Sequence, residues 1–442
     1  MKRHPRIWPT SALAAAIAAV GAPAFAQSPA PAPAPAAAPA AEEKYAGLVI
    51  DGISLSAQIQ AGVIGNPYRP NSGMNFGQTI TDRANQVLLN QILLTAAKPI
   101  DPENKEFQWG FKLQGMYGSD ARYTQYMGIF NNALPTSRNT FDIVEANFLM
   151  RLPVFSGGLD LKAGLYSTPL GFETIDPATN PFYSHSYTFQ FGLPFKHTGV
   201  LSVSHVTDMV DIYAGIDTGA NTTFGPLGEN NSSIAGIAGF GLNLMEGKLA
   251  ILALTHFGPE NASRALAPLG VNANSKWRSY NDIMITYKAT DELTFVTEFN
   301  WVRDAYGYVN KPVNGFGVVQ YVSYALTDTL TLNGRAEVWR DDNNYFVASF
   351  AGQSDPVRFQ QGLPLKAAVY GAGGPSTTYG SLTLGVTYKP DVPAPIAGLM
   401  IRPELRWDHA YTGNKPFNSN GGNPASQTKD SFTIGADVVL KF

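Results

Sequence analysis

The chain has 442 residues, 15% of them charged and 12% aromatic, with a formal net charge of −3 and no cysteine. Soluble domains usually carry about a quarter charged residues, so this composition suits a protein that shows apolar surface to its surroundings. Mild acidity argues against nucleic-acid partners, and a cysteine-free chain draws no stability from disulfides.

The N-terminus holds Lys2, Arg3 and Arg6, then the apolar run Ala12 to Val20, then small residues ending Ala24-Phe25-Ala26. This is the pattern of a secretory signal peptide over residues 1–26, cut after Ala26. No cysteine follows, so a lipoprotein is not expected. Without Lys2, Arg3 and Arg6 the net charge moves from −3 to −6. Residues 27–46 are mostly Pro and Ala, cannot bury a core, and read as a disordered linker. No plug domain is expected before the first strand. No stretch reaches the ~18 uninterrupted apolar residues of a spanning helix. An exported chain that enters a membrane must then do so as a closed barrel, the other architecture that satisfies every backbone hydrogen bond in lipid.

From Ile53 onward, apolar and polar residues alternate in short segments. Ile53, Leu55, Ala57, Ile59, Ala61 and Val63 are interleaved with Ser54, Ser56, Gln58, Gln60 and Gly62. Alternation with period two puts the two sets on opposite faces of a strand. The same pattern predicts about sixteen strands, at 53–64, 84–96, 107–118, 141–152, 158–167, 196–206, 208–217, 233–245, 248–257, 279–289, 292–303, 315–325, 329–340, 378–389, 398–409 and 430–442. Each is close to the ~9–11 residues that a tilted strand needs to cross a bilayer. In 84–96 and 315–325 both phases hold apolar residues, and the facing is ambiguous. Short connections (245–248, 289–291, 326–328) alternate with long ones (119–140, 168–195, 258–278, 341–377, 410–429). Short periplasmic turns and long outer loops are what a transmembrane barrel predicts. Tyr287, Tyr388 and Phe442 fall on apolar faces at one set of strand ends, and Trp301 and Trp407 at the other, as two interfacial girdles. The fold class is therefore an all-β, antiparallel up-and-down barrel occupying 47–442.

The last segment reads Phe432, Ile434, Ala436, Val438, Leu440 and Phe442 on one phase, against Thr433, Gly435, Asp437, Val439 and Lys441 on the other. It resembles the closing strand of bacterial outer-membrane barrels, in which the terminal aromatic, here Phe442, is the signal to the barrel assembly machinery. Two further stretches carry a likeness. One is Ser167-Thr168-Pro169-Leu170-Gly171-Phe172-Glu173 continuing to Asn180-Pro181-Phe182-Tyr183-Ser184-His185-Ser186-Tyr187. The other is Tyr324-Ala325-Leu326-Thr327-Asp328 with Leu330 to Glu337 and Arg340-Asp341-Asp342. Together they resemble the OmpL-like β-barrel porins of Gram-negative outer membranes, over most of the chain after Gly47. The resemblance implies an outer-membrane porin that passes small hydrophilic solutes or ions passively. It leaves open a channel selective for sugars or organic anions, and a closed barrel serving envelope structure or adhesion. It also admits a homotrimer, though no feature of the sequence shows one.

The inward phase collects charge. Glu298, Arg335, Glu337, Arg402, Glu404, Arg406, Asp408 and Asp437 all oppose apolar neighbours that would face lipid. An Arg at mid-barrel on the lipid face costs about 2–4 kcal/mol, which places these residues inside as pore-lining candidates. They would either set a field that selects ions or form cross-strand pairs that satisfy a wet interior. The third long loop, 168–195, carries Glu173, Asp176 and His185 with Phe172, Phe182, Phe189, Phe191 and Phe195. A loop this apolar is expected to fold into the lumen as a constriction, to cap the rim, or to touch a neighbouring barrel.

Signals for chemistry are weak. The nucleophile-elbow, zincin and P-loop motifs are absent from the sequence, so no enzyme, cofactor or metal is expected. His197, His205 and His256 are scattered on or beside strands. Ser204-His205 would be the start of a surface hydrolase site. Asp341-Asp342-Asn343-Asn344 would be a Ca²⁺ loop, but it lacks the EF-hand spacing and reads as a solvated strand end.

Overall fold

The computed structural model describes residues 48–442 apart from 103, 105, 130–137, 224–229, 308–309, 353, 364, 366 and 419–427. The expected signal peptide (1–26) and linker (27–46) lie outside the described residues.

Alternation of side chains sends each segment into an extended strand with one dry and one polar face. The barrel strands are β1 (Ile53–Gly65), β2 (Val87–Lys98), β3 (Gln108–Gly118), β4 (Thr140–Leu152), β5 (Leu159–Ser167), β6 (Lys196–Thr207), β7 (Val210–Asp217) and β8 (Ala235–Leu244). They continue as β9 (Leu249–Pro259), β10 (Trp277–Lys288), β11 (Leu293–Asp304), β12 (Val313–Thr327), β13 (Leu330–Asp341), β14 (Thr377–Tyr388), β15 (Gly398–Ala410) and β16 (Asp430–Lys441). Every strand pairs antiparallel with its sequence neighbour, and β16 pairs back onto β1, from Ile434 opposite Gly65 to Lys441 opposite Gln58. Phe442 continues that seam: its N–H donates to the Ala57 carbonyl at 2.8 Å and its carbonyl accepts from Ala57 at 3.1 Å. The sixteen-stranded barrel is thus closed, which removes the unpaired edges that lipid cannot tolerate. Leu48–Ile50 folds back on β1 through Asp51 and Gly52, both at positive φ, the conformation a two-residue hairpin turn requires.

Loop lengths differ by end, with the longest connections all at one of them. The turns 99–107, 153–158, 208–209, 245–248, 289–292, 328–329 and 389–397 lie at one end. The connections 66–86, 119–139, 168–195, 218–234, 260–276, 305–312, 342–376 and 411–429 lie at the other. The outer face carries an apolar band, with Leu94, Leu113, Val338 and Leu384 all more than half exposed. A water-facing surface this apolar would be an aggregation liability; against acyl chains it is the favourable solution. Trp301 and Phe316 stack at the long-loop end, and Trp109 and Phe148 at the short-turn end, where amphipathic rings suit the two interfaces.

The two ambiguous strands have physical explanations. In β2 the register slips at a bulge, with Gln60 opposite Gln91 but Ala61 opposite Leu89. The extra residue, Asn90, turns inward together with Gln91, so the apolar phase switches sides in mid-strand. In β12 the inner phase is itself apolar, with Val319 and Tyr321 fully buried, because a loop covers it from inside.

Candidate functional site

That covering segment is loop 168–195, which enters the barrel and lies against the inner wall. Gly171 turns it at φ +85°. Asp176 caps the 3-10 turn Pro177–Thr179, its carboxylate accepting from the Ala178 N–H at 3.0 Å. Ser186 caps the short helix Tyr187–Phe191 through the Phe189 N–H. Phe182, Phe189, Phe191 and Phe195 are all buried. Burying a Phe stabilises by about 1.5–3 kcal/mol, which is why this loop leaves water. Phe172 packs on Tyr321 with ring centres 4.5 Å apart, and Tyr187 on Tyr379 at 5.3 Å. The approach is close enough to require glycine in the wall. A Cβ on Gly317 would meet the Thr188 hydroxyl and stand 2.7 Å from Trp339.

The inward charges meet the loop's backbone. Glu404 accepts from the N–H groups of Tyr183 (2.9 Å) and Ser184 (3.1 Å). Glu337 accepts from those of Tyr187 and Thr188, both at 2.8 Å. Arg402 donates to the carbonyls of Pro177 (2.7 Å) and Asn180 (2.6 Å) and pairs with Asp437 directly opposite it, at 2.5 Å. Arg406 donates to the His185 carbonyl at 2.6 Å and pairs with Asp408 on its own strand. Asp408 in turn accepts from the Tyr187 hydroxyl at 2.8 Å. Arg335 pairs with Glu173 at 2.6 Å and donates to the Ser184 carbonyl. Glu298 lies against Gly171 of the loop, and its Oε1 has no hydrogen-bond partner among the described residues. All eight wall residues are buried beneath the loop rather than open to solvent. The seam near Ser184, Arg406 and Asp408 encloses a cavity of about 10 Å³, room for about one water.

The three loop candidates sit apart in function. Glu173 bonds Arg335, the Tyr321 hydroxyl and the Ser186 N–H. Its carboxyl is held below the usual range because, against the cost of burial, the Arg335 charge and its hydrogen bonds favour the anion. Asp176 accepts from Gln58 of β1 at 2.9 Å. His185 packs at a tilt on Phe189, and burial, with Arg335, Arg402 and Arg406 nearby, pushes its imidazole down to about 4, against the pull of Glu173. It is therefore neutral at pH 7.

Other loops also turn inward, which sequence reasoning missed. In the stretch after β13, the Asp341 carboxylate accepts from the N–H groups of Tyr345, Phe346 and Val347 at 2.7–3.1 Å. Asp341 and Asn344 are thus buried organisers of a loop, neither a solvated strand end nor a cation loop. Phe346 and Tyr345 pack edge to face. In the loop after β3, Asp120 is bonded by Asn90 and Gln91, the bulge pair of β2; burial pushes its carboxyl up to about 7. Towards the short-turn end the inner wall is less covered, and Lys112, Lys162 and Lys441 are half-buried. Ser204 and His205 do not form a dyad: adjacent strand residues face opposite sides, and His205 bonds Asp211 (2.6 Å) and Asp160 (3.2 Å) instead. His197 and His256, by contrast, are brought together around Asp217.

Comparison with known proteins gives one family and one fold shared with many solved structures. The family model described as "Putative beta-barrel porin-2, OmpL-like" matches residues 52–442. A search of the curated proteins found no match. The fold is similar to the outer-membrane channel DcaP of Acinetobacter baumannii (11% identity, 90% of this chain and 99% of that one, TM-score 0.51). It is also similar to an anion-selective porin from Comamonas acidovorans (9%, 88% and 99%, TM-score 0.52) and to OmpF of Salmonella typhi (10%, 89% and 99%, TM-score 0.50).

Proposed function

Because the chain belongs to the OmpL-like β-barrel porin family of the outer membrane, we propose that it is a passive diffusion channel for small hydrophilic solutes or ions, narrowed from inside by loop 168–195. The observation that carries this reading is the set of charge-assisted bonds from Glu337, Glu404, Arg335, Arg402 and Arg406 to the loop backbone. Charges on the wall hold the constriction in place, and passage is governed by the width left beside it. The reading includes no energy coupling and no catalytic step. Export uses the signal peptide over 1–26, the Pro/Ala segment to residue 46 is a spacer, and Phe442 is the assembly signal. Its partners are lipid, the solute and the assembly machinery, with a homotrimer as the oligomeric form.

A second reading has an observation in its favour. Fully buried Tyr321, Trp339, Phe346 and Tyr379 pack the loop-bearing half, as a closed structural or adhesive barrel would require. Liposome swelling separates the two. Proteoliposomes of the refolded chain should admit small sugars at rates that fall with solute size. Folded protein that admits none of them would favour the closed barrel, and steep preference for one sugar or organic anion would mark a selective channel.

A further inference from the structure

We propose that His197, Asp217 and His256 form a binding site for a divalent first-row transition ion, set in the barrel wall at the ends of β6, β7 and β9. The three residues come from different strands and share the inward phase. One potential ligand atom from each lies within 4.8 Å of the others, and all three side chains are buried. Asp217 bridges the pair: one carboxylate oxygen is 3.1 Å from His197 Nδ1 and the other 3.1 Å from His256 Nε2. β8 runs between Asp217 and His256, but it presents only Ala235 opposite Asp217, and that short side chain lets the carboxylate reach across. With bonds of about 2.0–2.1 Å, ligand atoms in a tetrahedral shell stand roughly 3.3–3.4 Å apart. The two Asp217 contacts already lie near that value, while the widest separation, up to 4.8 Å, must contract by about 1.4 Å to meet it.

A plain hydrogen-bonded cluster would show the same 3.1 Å contacts, so the case rests on what surrounds them. Metal-ligating imidazoles almost always have a carboxylate, backbone carbonyl or water at the nitrogen that does not bind the ion. Here a side-chain oxygen stands at each such nitrogen. His197 Nε2 is 3.0 Å from the Thr168 hydroxyl, and His256 Nδ1 faces Glu260 Oε1 at 3.7 Å. His256 Nδ1 and Glu260 Oε1 are both fully buried and lack a hydrogen-bond partner among the described residues, which marks a contact that closes once the imidazole is drawn onto an ion. The charge balance points the same way. Asp217 and Glu260 bring two carboxylates into a dry site, while the nearby Arg278 is committed to Asp304 at 2.5 Å. Buried charge is costly unless paired; a protonated His256 between the two carboxylates would balance one of them, and a dication would balance both. Two imidazoles with a carboxylate suit Zn²⁺ or its neighbours better than Ca²⁺ or Mg²⁺, which prefer all-oxygen shells. Three protein ligands leave a fourth position open.

The test uses the untagged, refolded full-length mature chain, titrated calorimetrically with Zn²⁺ and followed with Co²⁺ by visible absorption. The expected result is one equivalent of Zn²⁺ and Co²⁺ bands of a low-coordinate nitrogen–oxygen site. Both should disappear in His256→Ala and in Asp217→Asn and persist in His205→Ala, which removes the other His–carboxylate cluster. Glu260→Gln leaves all three ligands in place and should weaken binding about ten- to hundredfold, so the proposal stays testable even where a ligand variant folds poorly. Absence of stoichiometric binding in the folded wild type, or binding that survives in His256→Ala, overturns the site.

Discussion

Removing Glu337 and Glu404 together should release loop 168–195 from the wall. Each accepts two backbone N–H groups, those of Tyr187 and Thr188 and those of Tyr183 and Ser184. Hydrogen bonds to a charged partner contribute about 1.5–3 kcal/mol each. The four are coupled through one short segment, so half their sum, about 3–6 kcal/mol, is the fair expectation. That is roughly two to four decades in the ratio of docked to undocked loop. In Glu337→Ala/Glu404→Ala, Arg335 keeps Glu173 and Arg406 keeps Asp408, so no arginine is stranded. The chain has no cysteine, which makes thiol labelling clean. Ala178, in the docked 3-10 turn, is only 7% exposed and accepts a Cys reporter with little change in volume. Where reclosing outpaces labelling, the rate follows the undocked fraction. An Ala178→Cys reporter should be labelled at least about a hundredfold faster in the double variant, with barrel heat-modifiability unchanged. A rate within twofold of the parent would refute the reasoning that these carboxylates hold the loop.

Further outcomes follow from the same contacts. His185 has a depressed imidazole, about 4 when docked against an ordinary 6.5, so its contribution to docking is complete above pH 6.5 and is lost as pH falls towards 4. Labelling of Ala178→Cys, divided by that of a fully exposed thiol at the same pH, should therefore rise between pH 7 and 5, and His185→Gln should flatten that slope. Asp120 carries the opposite sign: its raised carboxyl, about 7, stabilises the loop after β3 at low pH and ceases to as pH rises through 7. Hydrogen exchange of residues 119–124, divided by the intrinsic rate at each pH, should rise from pH 6 to 8, and Asp120→Asn should remove that excess. Leu384→Arg on the lipid face should cost about 2–4 kcal/mol, read as a lower urea midpoint in bilayer refolding; an unchanged midpoint would contradict the placement of that phase in lipid. Gly317→Ala should destabilise by about 1–3 kcal/mol through overpacking against Thr188 and Trp339, in the same assay.

The strands were legible because their signal is local. A period of two, a bilayer-length run and alternating loop lengths need no knowledge of distant residues, and each of the sixteen segments appears within a few residues of its expected span. The exceptions are informative. The facing of β2 was ambiguous because a bulge at Asn90 reverses the phase. That of β12 was ambiguous because its lumenal side is dry against Phe172. The inward charges were legible from parity alone, and so was the pairing depth of Arg402 and Asp437. What they bond was not, since Glu404 and Tyr183 are 221 residues apart and nothing in the local pattern links them. The inward course of the segment after β13 left no comparable trace. The His197–Asp217–His256 cluster could have been found by combining inward parity with strand order, because Ala235, opposite Asp217 on the intervening strand, is small.

The most direct test of the account is conductance of the refolded mature chain in a planar bilayer under a salt gradient. It predicts discrete steps of fixed size that grow when Glu337 and Glu404 are replaced by Ala, with a reversal potential set by the uncovered wall near Lys112 and Lys162. A folded, heat-modifiable barrel that gives no steps at any voltage, with or without those substitutions, would contradict the channel reading.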